Sequence, residues 1–227
     1  MIRLIESLPP KKATCAAEIR IYSLFSAYGN SDLAYFWEQS SDKVTALISK
    51  MDGAITLCAY EGADIDEIVQ FISVVGADSV LSNIPLPMDK GERLYQLTLT
   101  AKSHGIKDIP TPDYQKTYDI MSTRFDMPPF DVWYVDMCHR VRHGTAYLLN
   151  SDSAALCGFI SGESLLIVGL CSLPQCKGQG SAAKLLEYAL NTLPTKHFTV
   201  LAEDKLEQYY VNQTFALTGY HYTYGDV

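Results

Sequence analysis

The sequence has no excess of basic residues, and this limits the partners that we expect for it. Its 18 Lys and Arg are outnumbered by 26 Asp and Glu, which gives a formal net charge of -8 at pH 7. Non-specific nucleic-acid binding depends on neutralising phosphates with basic side chains. We therefore expect no nucleic-acid partner, although a local basic pocket for one anionic ligand is compatible with this charge.

Long apolar runs are also absent. The first residues, MIRLIESLPPKK, lack the apolar stretch of a signal peptide, and no segment has the length and apolar character of a membrane span. The six cysteines form no C-x-x-C pair, a usage typical of free thiols in a reducing compartment. We expect a cytoplasmic protein without a membrane partner.

A metal-ligand set is missing as well. His139 and His143 are four residues apart and would share one face of a helix, but the Glu of an H-E-x-x-H motif is absent and no third ligand suggests itself. The basic side chains around them, Arg140 and Arg142, complement the negative end of a helix. The sequence therefore predicts no metal site.

Apolar periodicity predicts a mixed α/β protein with a mixed sheet, built from two halves of similar order. A shift of 112 residues places Ala34-Tyr35 on Ala146-Tyr147 and Ile55 on Ile167. The Pro- and Gly-containing stretch 103–114 is the predicted linker, between domains 1–102 and 115–227. The second domain is predicted to open with a strand at Tyr118–Arg124 and a helix at Phe130–Arg142.

The segment Ser164 to Leu193 combines three predicted elements. Leu165 to Cys171 is a continuous apolar run typical of a buried strand, and Ser172 to Gly180 is a loop with one Pro and two Gly. From Ser181 onward, apolar residues recur at helical spacing. The segment therefore predicts a buried strand, a glycine loop and an amphipathic helix.

This order of elements suits anion binding. The first amides of a helix have no partner within it, and the helix dipole places partial positive charge there. Gly178 and Gly180 lack a Cβ, so an anion can approach the backbone closely. Lys177 adds a positive charge at the rim. The pattern predicts a phosphate cradle made mainly of backbone amides, and a plain strand-to-helix turn is the alternative.

Gln175, Gly178 and Gly180 spell Q-x-x-G-x-G at the start of a helix that follows a buried strand. This resembles motif A of the GNAT superfamily, the acyl-CoA-dependent N-acyltransferases. It fits neither the dinucleotide fingerprint nor the Walker loop. The resemblance implies two GNAT-like halves in tandem. In the first half only Glu61-Gly62-Ala63-Asp64 precedes the corresponding helix, so that half is expected to have lost its cofactor loop.

The resemblance also implies where acetyl-CoA would bind. In GNAT folds the fourth and fifth strands splay apart around the pantetheine arm, and these strands would be Ser164–Cys171 and His197–Glu203. The strand backbone would hold the pantetheine, and the loop amides would hold the pyrophosphate. The implied contact residues are Leu170, Cys171, Ser172, Gln175, Cys176, Lys177, Gly178, Gln179, Gly180 and Ser181.

Two catalytic residues are implied. In the family, the acid is a Tyr near the departing sulfur. Counting forward from Glu203 assigns this position to Tyr210, whereas counting back from Gly219-Tyr220 assigns it to Phe215, which has no proton to give. Glu203 is the candidate base. Each has a structural alternative, namely a helix aromatic for Tyr210 and a solvated carboxylate for Glu203. An acylated Cys171 or Cys176 is a further alternative.

The resulting hypothesis is an N-acetyltransferase that moves an acetyl group from acetyl-CoA to a primary amine by direct attack. The acceptor would be a small-molecule or peptide amine, and the oligomeric state is open. The alternative is a non-catalytic acyl-CoA-binding or interaction module. Aminoacyl transfer would require a basic surface for tRNA, which the net charge disfavours.

Overall fold

The computed structural model of the 227-residue chain describes residues 1–9, 12–29, 31–101 and 109–225. These residues form two compact units, one of Met1–Leu97 with Leu201–Val227 and one of Thr98–Val200. No helix in the described part of the chain is long and apolar enough to cross a membrane. Each unit combines helices with a mixed sheet, as the periodicity predicts.

The first unit has the strand order β1-β2-β3-β4-β5-β11-β6. Strands β4 and β5 are parallel, whereas β1 to β4 pair antiparallel in sequence and β11 pairs antiparallel with β5. The strands are β1 (Ile2–Leu4), β2 (Ala34–Ser40), β3 (Val44–Met51), β4 (Ala54–Ala59), β5 (Ser79–Ser82), β6 (Glu92–Thr100) and β11 (Ala216–Gly225), and the helices are α1 (Ala16–Tyr28), α2 (Ile65–Val75) and α6 (Asp204–Asn212).

Two apolar clusters cover the two faces of this sheet, because alternate residues of a strand point to opposite sides. On β3, Ile48 packs in the cluster that contains Ile68 of α2, and its neighbour Leu47 packs in the cluster that contains Ile21 of α1. The helix α2 starts as predicted, since the Asp64 carboxylate accepts a hydrogen bond from the Glu67 amide at 3.0 Å.

The second unit has the strand order β10-β9-β8-β7, in which only β9 and β10 are parallel. Helices α3 and α4 pack on the sheet through Met121, Trp133 and Met137. The elements are α3 (Tyr114–Met121), α4 (Phe130–Arg142), β7 (Ala146–Asn150), β8 (Ala154–Ser161), β9 (Ser164–Ser172), α5 (Ser181–Thr192) and β10 (His197–Ala202).

The predicted strand at Tyr118–Arg124 is wrong, because residues 118–121 form the end of helix α3 and residues 122–124 form a turn. The buried side chains Thr117, Ile120 and Met121 lie three and four residues apart, which is helical spacing. Asp113 caps the helix by accepting a hydrogen bond from the Lys116 amide at 3.0 Å. A short apolar stretch without alternation does not distinguish a strand from a helix.

The first half of the predicted linker 103–114, residues 103–108, lies outside the described residues, whereas in its second half Asp113 caps α3 and Tyr114 begins it. The predicted domains 1–102 and 115–227 stay a prediction. The compact units group the chain differently, since the final segment from Leu201 belongs with the first unit. The cause is β11, which pairs with β5 through Tyr222↔Ser82 to Gly225↔Ser79.

Replacement of Asp113 by Ala tests the helical assignment of α3. The variant loses the acceptor for the Lys116 amide, so we expect the free energy of unfolding to fall by about 1 kcal/mol in chemical denaturation. Asp113→Ser keeps a capping oxygen and serves as the matched control, with a much smaller loss. Equal stability of the two variants would contradict the cap.

Candidate functional site

Strand β9 carries one residue more than the strand beside it. Cys157 of β8 pairs with Gly169, but the next residue, Gly158, pairs with Ile167, so Val168 has no partner on β8. This is a β-bulge, which bends the strand and strengthens its local twist. Val168 is 37% exposed, although its neighbours Ile167 and Gly169 are buried. The apolar run 165–171 gave no sign of this bulge.

The pairing of β9 with β10 ends at the same point. Its parallel register runs from Ser164↔His197 to Ile167↔Val200. Beyond it, within the described residues, Gly169 to Ser172 pair only with β8. The other edge of this stretch is therefore open to an extended ligand that could hydrogen-bond like an added strand. Leu170, Cys171 and Ser172, the implied pantetheine contacts, lie on this stretch.

The loop after β9 is a short 3-10 turn, Pro174–Cys176, followed by two glycines in left-handed conformation. The φ angles are 79° at Gly178 and 78° at Gly180, a region that other residues rarely adopt. A Cβ added to either glycine would meet no atom within 4 Å. The glycines are therefore required by backbone conformation, and the space beside them is open.

Helix α5 begins with open amides. Its first bond runs from the Lys184 amide to the Gly180 carbonyl at 2.9 Å, and Gly180 offers no side chain as a cap. In the part of the chain that the structure describes, the amides of Gly178, Gly180, Ser181, Ala182 and Ala183 donate to no acceptor. Such a group of donors at a helix N-terminus can bind an anion.

The other loop side chains have distinct surroundings. Lys177 is exposed and forms no ion pair with the described residues, so its charge is free for a ligand. Gln175 is also exposed. Gln179 donates from Nε2 to the Gln175 carbonyl at 3.1 Å, which ties the loop together. Cys176 is half-buried. The structure thus brings the predicted loop residues to one exposed helix end.

Cys171 points into the core and away from a nucleophilic role. Its Sγ lies 3.7 Å from the Ile120 carbonyl, and its side chain is buried in the cluster that α3 and α4 cover. Burial raises the pKa of the Cys171 thiol to about 11. The thiolate is the nucleophilic form, so an acyl-enzyme on Cys171 is disfavoured at neutral pH.

Tyr210 and Phe215 contact each other at the end of α6, with ring centroids 5.7 Å apart. Both are buried, and the Phe215 amide donates to the Tyr210 carbonyl at 3.1 Å. Burial raises the pKa of Tyr210 above its ordinary value, so its hydroxyl stays protonated. Of the two candidate positions, only Tyr210 holds a proton to give.

Glu203 has the surroundings of a solvated carboxylate. Its side chain is 54% exposed and forms an ion pair with Lys205. It precedes α6 without capping it. These contacts fit the structural alternative for Glu203 better than the role of a buried base.

The corresponding place in the first unit is closed. The β4–β5 pairing also ends after four residues, at Leu57↔Ser82. Beyond it, the carboxamide of Asn83 accepts from the Ala59 amide at 2.8 Å and donates to the Ala59 carbonyl at 2.9 Å. Asn83 thus takes the hydrogen bonds that an extended ligand would need. The sequence does not single out this residue, because an isolated Asn in a loop carries no recognisable pattern.

No metal-ligand cluster appears among the described residues, where no group of three His, Cys, Asp or Glu is close enough to hold an ion. The rings of His139 and His143 stack with centroids 4.3 Å apart. Their neighbour Arg140 forms an ion pair with Asp136 at 2.8 Å. This segment therefore closes helix α4 through ordinary structural contacts.

The fold resembles those of known acetyltransferase structures. No protein-family model matches the sequence, and no curated protein does. A GCN5-related N-acetyltransferase from Sphaerobacter thermophilus matches with a TM-score of 0.56 at 11% identity, over 91% of this chain and 84% of that one. One from Kribbella flavida matches with 0.54 at 12% identity, over 93% and 95%.

A tandem GNAT protein from the clavulanic acid biosynthesis pathway matches with a TM-score of 0.51 at 13% identity, over 97% of this chain and 90% of that one. The chain therefore has the mixed α/β fold of GCN5-related N-acetyltransferases, as predicted. The match to a tandem protein along nearly the whole chain fits the predicted arrangement in two halves.

The pKa of Cys171 leads to a labelling prediction. With iodoacetamide at pH 8, we expect Cys176 to react in the folded protein and Cys171 to remain unmodified, because burial raises the pKa of the Cys171 thiol to about 11. Peptide mapping by mass spectrometry gives the extent at each site, and both should react in denaturant. Preferential labelling of Cys171 in the folded protein would restore the acyl-enzyme alternative.

Proposed function

We propose that this chain is an acyl-CoA-dependent N-acyltransferase that moves an acetyl group from acetyl-CoA to a primary amine. One observation carries the proposal: the open amides between Gly178 and Ala183 follow directly after the open edge of β9. A donor cradle for a pyrophosphate and an edge for an extended amide chain thus lie next to each other in the sequence. The fold of N-acetyltransferases agrees with this use.

The residues fit the two ends of acetyl-CoA. The space beside Gly178 and Gly180 admits a phosphate close to the backbone, and Lys177 adds a positive charge. The backbone of Leu170, Cys171 and Ser172 can hydrogen-bond the amides of an extended pantetheine. When bound, acetyl-CoA supplies the activated acyl carbon, and these contacts hold it in one orientation for attack.

Proton transfer assigns a role to Tyr210. Direct attack by an amine releases a thiolate, which is a better leaving group when it receives a proton. Tyr210 carries a phenol proton at neutral pH, and its ring is held by Phe215 and Tyr209, whose rings lie 5.7 and 5.0 Å away. We assign Tyr210 as the general acid.

Attack by the amine requires that the amine first lose a proton, so the site needs a base. A lysine-like amine has a pKa near ~10.4, so its neutralisation at pH 7 costs on the order of 4–5 kcal/mol. Glu203 remains the proposed base and acts through a water molecule, since Lys205 already pairs with its carboxylate. The proposed acceptors are small-molecule or peptide amines, and we propose a cytoplasmic location.

A second function has an observation in its favour. Glu203 is paired and exposed, and Cys171 is a protonated core thiol. A non-catalytic module that binds acyl-CoA needs only the cradle and the strand edge. Binding with no turnover on any amine would select this function.

A thermal-shift experiment with acetyl-CoA, CoA and NAD tests the cradle. A ligand at a hundredfold its dissociation constant stabilises the folded state by about 2.7 kcal/mol, which raises the Tm by several degrees. We expect this shift with both CoA species and none with NAD. No shift with acetyl-CoA at millimolar concentration would overturn the cofactor assignment and the enzyme with it.

Two variants of similar shape separate charge from backbone effects at the cradle. Gly178→Asp places a carboxylate beside the open amides, so we expect it to abolish the CoA shift. Gly178→Asn occupies the same space without charge, and Asn tolerates the left-handed backbone at this position. It should keep part of the shift. Equal losses in both variants would show that the charge at the cradle is irrelevant.

Replacement of Tyr210 by Phe tests the general acid. We expect kcat for CoA release with a responsive amine to fall by about 10²-fold, with an unchanged Kd for acetyl-CoA. Tyr209→Phe is the control: its hydroxyl is buried without a hydrogen-bond partner in the described structure, so its loss should leave kcat unchanged. A similar kcat for Tyr210→Phe and the wild type would remove Tyr210 from the mechanism.

A further inference from the structure

Two cysteines of the first unit lie together although they are far apart in sequence. Cys15 precedes α1 as its N-cap residue, and Cys58 lies near the end of β4. Their Sγ atoms are 3.7 Å apart. Cys15 is half-buried and Cys58 is 1% exposed. Since both residues adjoin or belong to packed elements, this distance is a fixed feature of the unit, and Cys15 is the partly exposed residue of the pair.

A histidine of β11 completes the cluster. The Nε2 atom of His221 accepts a hydrogen bond from the Ala17 amide at 3.2 Å, so the neutral ring carries its proton on Nδ1. This Nδ1 is buried and has no hydrogen-bond partner in the described structure. Buried polar groups are nearly always paired, and an exception at a thiol pair points to chemistry there.

The two thiols have unequal acidity. The hydrogen bond from Cys58 lowers the pKa of Cys15, and the His221 ring lowers it further, against the opposing effects of burial and of the Glu18 carboxylate. The pKa of Cys58 is raised, because its proton is held in the bond to Cys15. Its lowered pKa and its position at the N-terminus of α1, where the helix dipole favours negative charge, make Cys15 rather than Cys58 the thiolate of the pair.

The nearby carboxylate is held in place. Glu18 is 1% exposed and accepts from the Thr14 amide at 2.7 Å, from the Thr14 hydroxyl at 2.8 Å and from the Tyr60 hydroxyl at 2.9 Å. These bonds satisfy its charge without the cysteines. The Glu18 amide, in contrast, bonds to Cys15 and lowers its pKa, as Cys58 and His221 do.

We propose that Cys15 and Cys58 form a peroxide-reactive dithiol site, in which Cys15 is the attacking sulfur and Cys58 the resolving one. Reactive cysteines of this kind are partly accessible and stand next to a second thiol. The site lies entirely within the first unit, and it does not depend on acyl transfer. It gives a chemical role to the half of the chain in which Asn83 closes the corresponding strand edge.

The oxidation balances with hydrogen peroxide as the oxidant. The Cys15 thiolate attacks one peroxide oxygen, the O–O bond breaks, and the hydroxide that leaves takes up a proton to become water. Cys15 is then a sulfenic acid. The Cys58 sulfur attacks Cys15 Sγ, the S–O bond breaks, and the hydroxyl leaves with the Cys58 proton as a second water. One peroxide is reduced and two thiols become one disulfide.

Titration of the purified full-length protein with hydrogen peroxide tests this proposal. We expect two of the six thiols to be lost at about one equivalent of peroxide, and dithiothreitol to restore them. Peptide mapping without reductant should show Cys15 linked to Cys58. Loss of other thiols first, or no link between these two, would overturn the proposal. This measurement on the unmodified chain requires no variant to fold.

Variants assign the two roles. In Cys58→Ser, peroxide should leave a sulfenic acid on Cys15 that dimedone traps, because the resolving thiol is gone. Cys15→Ser should slow thiol loss by roughly tenfold or more. Cys138→Ser is the control, since Cys138 is half-buried in α4 and far from the pair in sequence; its kinetics should match the wild type. Dimedone on Cys58 in the Cys15→Ser variant, with none on Cys15 in the Cys58→Ser variant, would reverse the assignment and contradict the proposal.

Discussion

One extra residue in β9, Val168, sets the geometry on which the candidate site depends. Without the bulge, β9 would keep one antiparallel register with β8 and continue its parallel pairing with β10. The bulge bends β9 instead, and the parallel pairing with β10 ends one residue earlier, at Ile167↔Val200. The backbone that follows keeps one edge open, and the chain then enters the glycine loop. The single β-bulge thus marks the point after which the edge of β9 that faces β10 is no longer paired.

The first unit shows how the same design is closed. Its strands β4 and β5 also pair over four residues and then part, but β4 has no irregular pair with β3. Asn83 bonds to both the amide and the carbonyl of Ala59. At the following helix, the Asp64 carboxylate occupies the N-terminus that Gly180 leaves open at α5. A side-chain amide and a carboxylate therefore take the positions where a ligand's amide and phosphate would bind.

Local sequence patterns predicted the elements that local forces determine. The helix predicted at Phe130–Arg142 agrees with the structure, because helical periodicity acts within a few residues. The bulge at Val168 could not be predicted, since it is a mismatch between two strands and leaves no mark in an apolar run. The pairing of β11 with β5 and the approach of Cys15 to Cys58 join distant segments, so they follow from tertiary packing alone.

The buried polar groups of the first unit are difficult to explain by stability. Burying a carboxylate is costly even when it is well bonded, and apolar residues of similar volume would often serve as well. Glu18 accepts hydrogen bonds from Thr14 and Tyr60, but the Nδ1 atom of His221 has no hydrogen-bond partner among the described residues, which costs about 1–3 kcal/mol. If the first unit served only as a packing scaffold, an apolar residue in place of His221 would make it more stable. The Nδ1–H group of His221 can instead donate a hydrogen bond to the Cys15 thiolate or to the hydroxyl that leaves the sulfenic acid. The cluster is therefore better explained by chemistry than by packing.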